Sequence, residues 1–149
     1  MAENLNYNAN GSKCYDNQES NCQKYGRLYN WNVAKTVCPS GWHLPSNAEW
    51  QVLLASVGGD KTAGKFLKAT SGWTGNTHGD DKFGFSALPG GFSDSTGTFY
   101  NVGNFGNWWS TTEDSASNAC FRGMYSSNDE VGYYKYSKNI LFSVRCLKD

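Results

Sequence analysis

A helical period of apolar positions is clearest in one stretch, residues 38–57, which reads CPSGWHLPSNAEWQVLLASV. There Trp50, Leu53, Leu54 and Val57 recur at i, i+3, i+4 and i+7, so all four share one helix face. Ser46 and Glu49 have the S-x-x-E spacing of a capping box, in which each side chain satisfies the other's backbone N–H. Pro45 disfavours extension toward the N-terminus, and Gly58-Gly59 tolerates the left-handed conformation of a helix end. The pattern predicts a helix over 46–57, with Trp42 and Leu44 plugging the same core.

Around this helix the pattern weakens. Residues 1–24 are polar and Asn-rich, and predict irregular chain with a short strand at 5–7. Residues 25–37 predict a short helix carrying Leu28, Trp31 and Ala34. Thr62 predicts the cap of a further helix through Lys68, with Phe66 and Leu67 inward. Residues 70–84, TSGWTGNTHGDDKFG, read as a long loop, a feature that in compact domains is usually functional or mobile. A buried strand is expected at 85–88, stopped by Pro89-Gly90-Gly91. Beyond it, aromatic runs at 98–102, 107–111, 119–125, 131–136 and 141–147 alternate with turn clusters at about ten-residue spacing, as in an antiparallel sheet. With no repeat and no linker, residues 1–149 read as a single α+β domain.

Composition adds a surface expectation. Aromatics make up 15% of the chain, with six Trp, nine Tyr and 17 Gly, and charged residues reach only 17%. Tyr, Ser, Gly, Asn and Trp are the residues of binding surfaces, although many of the Gly and Asn serve turns. The net charge is zero, which argues against a dedicated nucleic-acid binder. No apolar run approaches the roughly 20 residues of a membrane span, so no membrane insertion is expected. The chain opens directly into polar sequence rather than a secretory signal.

The five cysteines include no C-x-x-C pair, which disfavours a zinc knuckle. A Cys14–Cys22 bridge would close the polar loop between them, and Cys38 and Cys146 could form a long-range staple, leaving Cys120 over. Disulfides imply an oxidising compartment; the alternative is five reduced thiols in a reducing one.

MAENLNY at the start, YGRLYNW, CPSGWHLPSNAEW, GFSALPGG and FSVRC, in that order, resemble the Fibrobacter succinogenes major paralogous domain across essentially the whole chain. The resemblance implies the C-type lectin-like fold, with two main helices on a twisted antiparallel sheet, adjacent termini and a loop-rich second half. It also implies a secreted or surface-anchored bacterial protein. A Trp commonly precedes MAENL in that family, so the chain is expected to be cut from a longer parent.

Sulfatase-modifying enzymes that generate formylglycine share the wider fold group and use a reactive cysteine pair in the C-terminal part. Here only Cys120 and Cys146 lie there, at a spacing unlike theirs, so an enzyme is not expected. Arg122 shares a strand face with Cys120, which would favour a thiolate. His43 reads as a structural residue, and His78 has no motif spacing to it. No nucleophile elbow, P-loop or dinucleotide fingerprint occurs, and no cofactor is expected. Asp80 and Asp81, helped by Asn76, are weak calcium candidates, since the E-P-N and W-N-D motifs of true C-type lectins are absent.

The expected function is non-catalytic binding of a carbohydrate or a surface protein. Trp73, Trp108, Asn118, Arg122, Tyr125, Tyr133, Tyr134 and Tyr136 are its candidate ligand-binding residues. Alternate strand residues face opposite ways, so Trp108 and Trp109 cannot both be core if the sheet has a wet face. An alternative is a retroelement-diversified display protein, whose variable positions would fall within 113–136.

Overall fold

The computed structural model describes residues 1–75 and 79–149. Helices α1 (Glu19–Tyr25), α2 (Trp31–Ala34), α3 (Asn47–Ser56) and α4 (Ala63–Leu67) lie in the first half. Strands β1 (Trp42–His43), β2 (Phe92–Ser93), β3 (Phe99–Tyr100), β4 (Phe105–Glu113), β5 (Asn118–Tyr125), β6 (Val131–Ser137) and β7 (Leu147–Lys148) lie mostly in the second. The fold is therefore mixed α/β with small helices and antiparallel sheets.

The predicted helix forms with its capping box intact. Ser46 Oγ accepts from the Glu49 N–H at 3.2 Å, and the Glu49 carboxylate accepts from the Ser46 N–H at 2.8 Å. Gly58 and Gly59 end it at φ +105° and +87°. Helix α2 starts only at Trp31, because Asn30 caps the Val33 N–H while Leu28 is already paired with Lys13. Thr62 does not cap α4; its hydroxyl donates to Gly58 O. Helix α1 falls where irregular chain was expected, and the Cys14–Cys22 bridge pins its first turns.

Strands β4, β5 and β6 form one antiparallel sheet in that order. A register shift separates the Trp109↔Phe121 and Glu113↔Ala119 pairs. Strand β1 pairs with β7, and β2 with β3. The strand expected at 85–88 forms no ladder, and of the one expected at 141–147 only Leu147 enters a ladder, in β7. Ala87 makes one bridge, to Lys68. Leu141, Phe142 and Ser143 each bridge a different neighbour, namely Ser93, Tyr29 and Trp108. Residues 5–7 likewise form no strand: Leu5 donates to Val144 O, and its carbonyl accepts from the Arg27 N–H and the Tyr29 hydroxyl.

Both sheet faces are covered around β4 and most of β5. Trp109, Ala119 and Phe121 face a cluster with Tyr29, Trp31, Phe142 and Val144. Trp108, Met124 and Val131 face a second cluster with Trp50, Leu54, Val57 and Leu67. Trp42 and Leu44 belong to the first cluster, not to that of Trp50 as expected. Each large apolar side chain sealed this way contributes about 1.5–3 kcal/mol.

Buried polar groups join segments distant in the chain. Asn4 Oδ1 accepts from Trp108 Nε1 at 2.8 Å and from Arg145 Nε at 2.9 Å, while Asn4 Nδ2 donates to Tyr25 O at 2.8 Å. Arg145 also donates to the carbonyls of Phe85 and Ser86. Burial holds its guanidinium at a pKa of about 10. Two lysines occupy the hairpin turns of the sheet. Lys68 Nζ donates to Tyr125 O and Asn128 O, and Lys138 Nζ to Ser115 O, Ala116 O and Glu113. These bonds satisfy carbonyls that would otherwise lose water on folding. Cys14–Cys22 and Cys38–Cys146 are disulfides, and Met1 N lies 2.9 Å from Cys146 O, so the two ends of the domain meet.

Candidate functional site

Strand β6 is the outer strand of the sheet and the least covered. Val131 and Gly132 are buried, but Tyr133, Tyr134, Lys135 and Tyr136 are all exposed, the tyrosines by 43%, 40% and 53%. The two-residue period places Tyr134 and Tyr136 on one face, and Tyr133 and Lys135 on the other.

On the first face the sheet carries a glycine pair, Gly123↔Gly132. The Tyr134 ring lies back over Gly132, so close that a Cβ there would stand 2.2 Å from the ring. Tyr125 lies similarly over Gly123, with its hydroxyl 2.6 Å from the corresponding point. The two rings are 5.8 Å apart. From Tyr134 ring contacts run inward to Phe121 at 5.4 Å, Phe142 at 4.5 Å and Phe92 at 5.9 Å, and out again to Tyr100 at 5.2 Å. Phe105 joins through Tyr125 at 4.6 Å. Tyr100 is exposed, and Phe92, Phe105 and Tyr125 are half-buried, so this ring system reaches water at several points. Burial, then the neighbouring Tyr134 hydroxyl, holds the Tyr125 phenol well above its ordinary pKa. It remains a neutral hydrogen-bonding group.

On the opposite face Tyr133 stacks on Arg122, with the guanidinium carbon 4.9 Å from the ring centroid. Its hydroxyl lies 2.9 Å from Cys120 Sγ, and this contact is the largest influence raising the Tyr133 pKa. Lys135 pairs with Asp114 at 2.5 Å. Arg122 itself is buried, and donates through Nη2 to Asn47 Oδ1 at the start of α3.

The expected site residues therefore separate. Tyr133, Tyr134 and Tyr136 lie on the surface of one strand, and Tyr125 stands beside them, half-buried. Asn118 is half-buried at the sheet's end, opposite Ser137. Trp73 and Trp108 are core residues rather than surface ones. Trp73 Nε1 donates to Ala87 O, and Trp108 Nε1 to Asn4 Oδ1. Trp108 and Trp109 are both fully buried because β4 is covered on both faces, so the wet-face premise fails there. Arg122 lies behind Tyr133 rather than on the surface. Phe105, Phe92 and Tyr100 were not anticipated; their place depends on strand register, which local pattern does not encode.

Other chemistry finds less support. Cys146 is bonded to Cys38, so it forms no pair with Cys120, which is free and buried. Both Asp81 oxygens are taken by the Ser86 backbone N–H and hydroxyl, and Asp80 faces Lys65 at 3.9 Å. Asn76 and His78 lie outside the described residues. Among the described residues, the one cluster of three metal-ligating side chains is Cys14, Glu19 and Cys22, and its two sulfurs are spent in a disulfide. His43 bridges Asp149 at 2.6 Å and Glu49 at 2.9 Å, tying the C-terminal segment to the start of α3.

These features define a disulfide-stapled, mixed α/β domain that exposes one tyrosine-rich edge strand. Residues 1–148 match the family model of the Fibrobacter succinogenes major domain, and the chain belongs to that family. No curated protein and no solved structure matches it.

Proposed function

We propose that this is a non-catalytic binding module of C-type lectin-like fold, secreted or held at a bacterial cell surface, that recognises a carbohydrate or a surface protein through β6. The observation that carries the reading is the exposure of Tyr133, Tyr134 and Tyr136 on one strand, with Tyr133 and Tyr134 each seated on a buried neighbour. Such rings offer apolar faces for stacking and hydroxyls for hydrogen bonds. Supported rings also lose less rotamer freedom on binding. Lys135, Asn118 and Ser137 border them, and no aliphatic side chain interrupts the exposed run from Tyr133 to Tyr136. The two disulfides fit an oxidising location. Binding is favoured over cysteine oxidation because the second thiol that such chemistry needs is bonded to Cys38.

Glycan-array and surface-protein pull-down measurements test the proposal. Tyr134→Ala with Tyr136→Ala should weaken the ligand found by at least about fivefold, on the basis of 0.5–1.5 kcal/mol per ring contact. The unfolding midpoint should stay near wild type. Absence of any bound glycan or protein, or undiminished binding by the double variant, refutes it.

A further inference from the structure

We infer that Arg122 seats an oxyanion, the carboxylate of an acidic ligand or a free inorganic anion, admitted when the Tyr133 ring swings aside. The inference deepens the binding reading by naming a charged group on the ligand. It rests on that reading for the ligand-borne carboxylate only.

Arg122 is 1% exposed. Its Nη2 donates to Asn47 Oδ1, but among the described residues Nε and Nη1 have no partner. A guanidinium carries five N–H donors and keeps its charge in proteins. Withdrawing such a charge from water without a counter-charge is costly, and a buried unpaired polar group requires an explanation such as a bound ion. Among the described residues, Asp60, Tyr133 and Cys120 are the titratable groups that act on Arg122, and none of them forms an ion pair with it. Arg145 is a useful contrast within the same molecule. It is also buried without a carboxylate partner, but its donors meet Asn4, Phe85 and Ser86. The bland explanation of a carbonyl-satisfied structural arginine holds for Arg145 and fails for Arg122.

Access has a physical route. Tyr133 is the exposed ring stacked on the guanidinium, and its hydroxyl meets the Cys120 thiol, a weak hydrogen-bonding group. Changing rotamer costs that contact and the stacking, and brings the Arg122 donors toward water. The face that carries Tyr133, opposite that of Tyr134 and Tyr136, would then offer a cation at the same edge strand.

Thermal unfolding at constant ionic strength, balanced with chloride, tests this with sulfate, acetate, trigalacturonate and neutral cellotriose. A site of about 1 mM affinity lowers the unfolding constant about 20-fold at 20 mM ligand. For a domain of this size the midpoint then rises by about 5 °C. Stabilisation by sulfate and acetate as well as trigalacturonate identifies a free-oxyanion site; stabilisation by trigalacturonate alone identifies an acidic-sugar site. Arg122→Met should abolish either effect. Should that variant not fold, Tyr133→Ala carries the test, since it uncovers the guanidinium and should tighten oxyanion binding several-fold. No stabilisation by any oxyanion, equal stabilisation by cellotriose, or unchanged affinity in Tyr133→Ala overturns the inference. Glycan binding through Tyr134 and Tyr136 with no oxyanion effect would overturn it and leave the binding module standing.

Discussion

Asn4 is the smallest change with the widest structural reach. It is 8% exposed, and its amide serves three segments: Trp108 on β4, Arg145 near the C-terminus and Tyr25 at the end of α1. Asn4→Ala removes an acceptor from a buried indole N–H, an acceptor from a buried guanidinium N–H, and a donor from a backbone carbonyl. A neutral bond is worth about 1 kcal/mol, one to a charged group about 1.5–3 kcal/mol, and unpaired buried partners add to the cost. The sum is about 4 kcal/mol, a large part of the 5–15 kcal/mol that typically holds a domain together.

Urea unfolding with the disulfides intact measures this. With a slope of about 2 kcal/mol per molar, the midpoint should fall by about 2 M. Asn4→Asp keeps an oxygen for Trp108 and sets a carboxylate against Arg145, while its second oxygen replaces the donor to Tyr25 O, so it should lose less than Asn4→Ala. The exposed Asn6 provides the control. If Asn4→Ala lies within 1 kcal/mol of Asn6→Ala, the three bonds do not carry the join, and the account of the core is wrong.

The two disulfides should differ in effect. Cys38–Cys146 spans a sequence separation of 108 and Cys14–Cys22 one of 8. On the chain-entropy estimate these are worth about 5 and 2.5 kcal/mol, so replacing the first pair by alanine should cost about twice as much in denaturant unfolding. Equal losses would reject that estimate here. His43 should give a pH-dependent term. The hydrogen bond to Asp149, then that to Glu49, raises its pKa in the folded state. Its contribution is therefore fully present below the unfolded value of about 6.5 and is lost as pH rises through the folded one. The midpoint difference between wild type and His43→Gln should shrink between pH 5 and 9; a constant difference would dismiss the ion-pair role.

What was legible depended on range. The capping box of α3 is a contact between residues three apart, and it forms as Ser46 and Glu49 predict. The half-closed ring of Cys14 and Cys22 was equally readable, but the helix it pins was not, because Gln18 offers no side-chain cap and the segment is polar. The apolar run at 141–147 looked like a strand because local pattern reports burial, not pairing. Three successive residues there serve three different neighbours. The tryptophan pair misled for a related reason: an alternation argument needs to know which faces are covered, and that is decided by segments as far away as Asn4 and Trp31. The tyrosines of β6 could be named, but not their support, since Gly132 beneath Tyr134 and Phe121 beside it follow from register.

The sheet loses cover from β4 outward, and this gradient links the stapled core to the displayed edge. At β4 neither Trp108 nor Trp109 meets water; at β6 only Val131 and Gly132 are sealed. A bare edge strand with exposed rings invites pairing with other chains, and natural edges are commonly guarded by charge. Here Lys135 stands between Tyr134 and Tyr136 in sequence, fixed to Asp114, and Lys138 closes the strand's end against Glu113. The same edge has the Tyr134 ring restrained by Gly132 and Phe121 rather than left loose. Guarding against self-association and pre-arranging aromatic faces are opposite demands on one strand. Their coexistence on β6 supports the proposed binding surface, since a merely uncovered strand would need only the first.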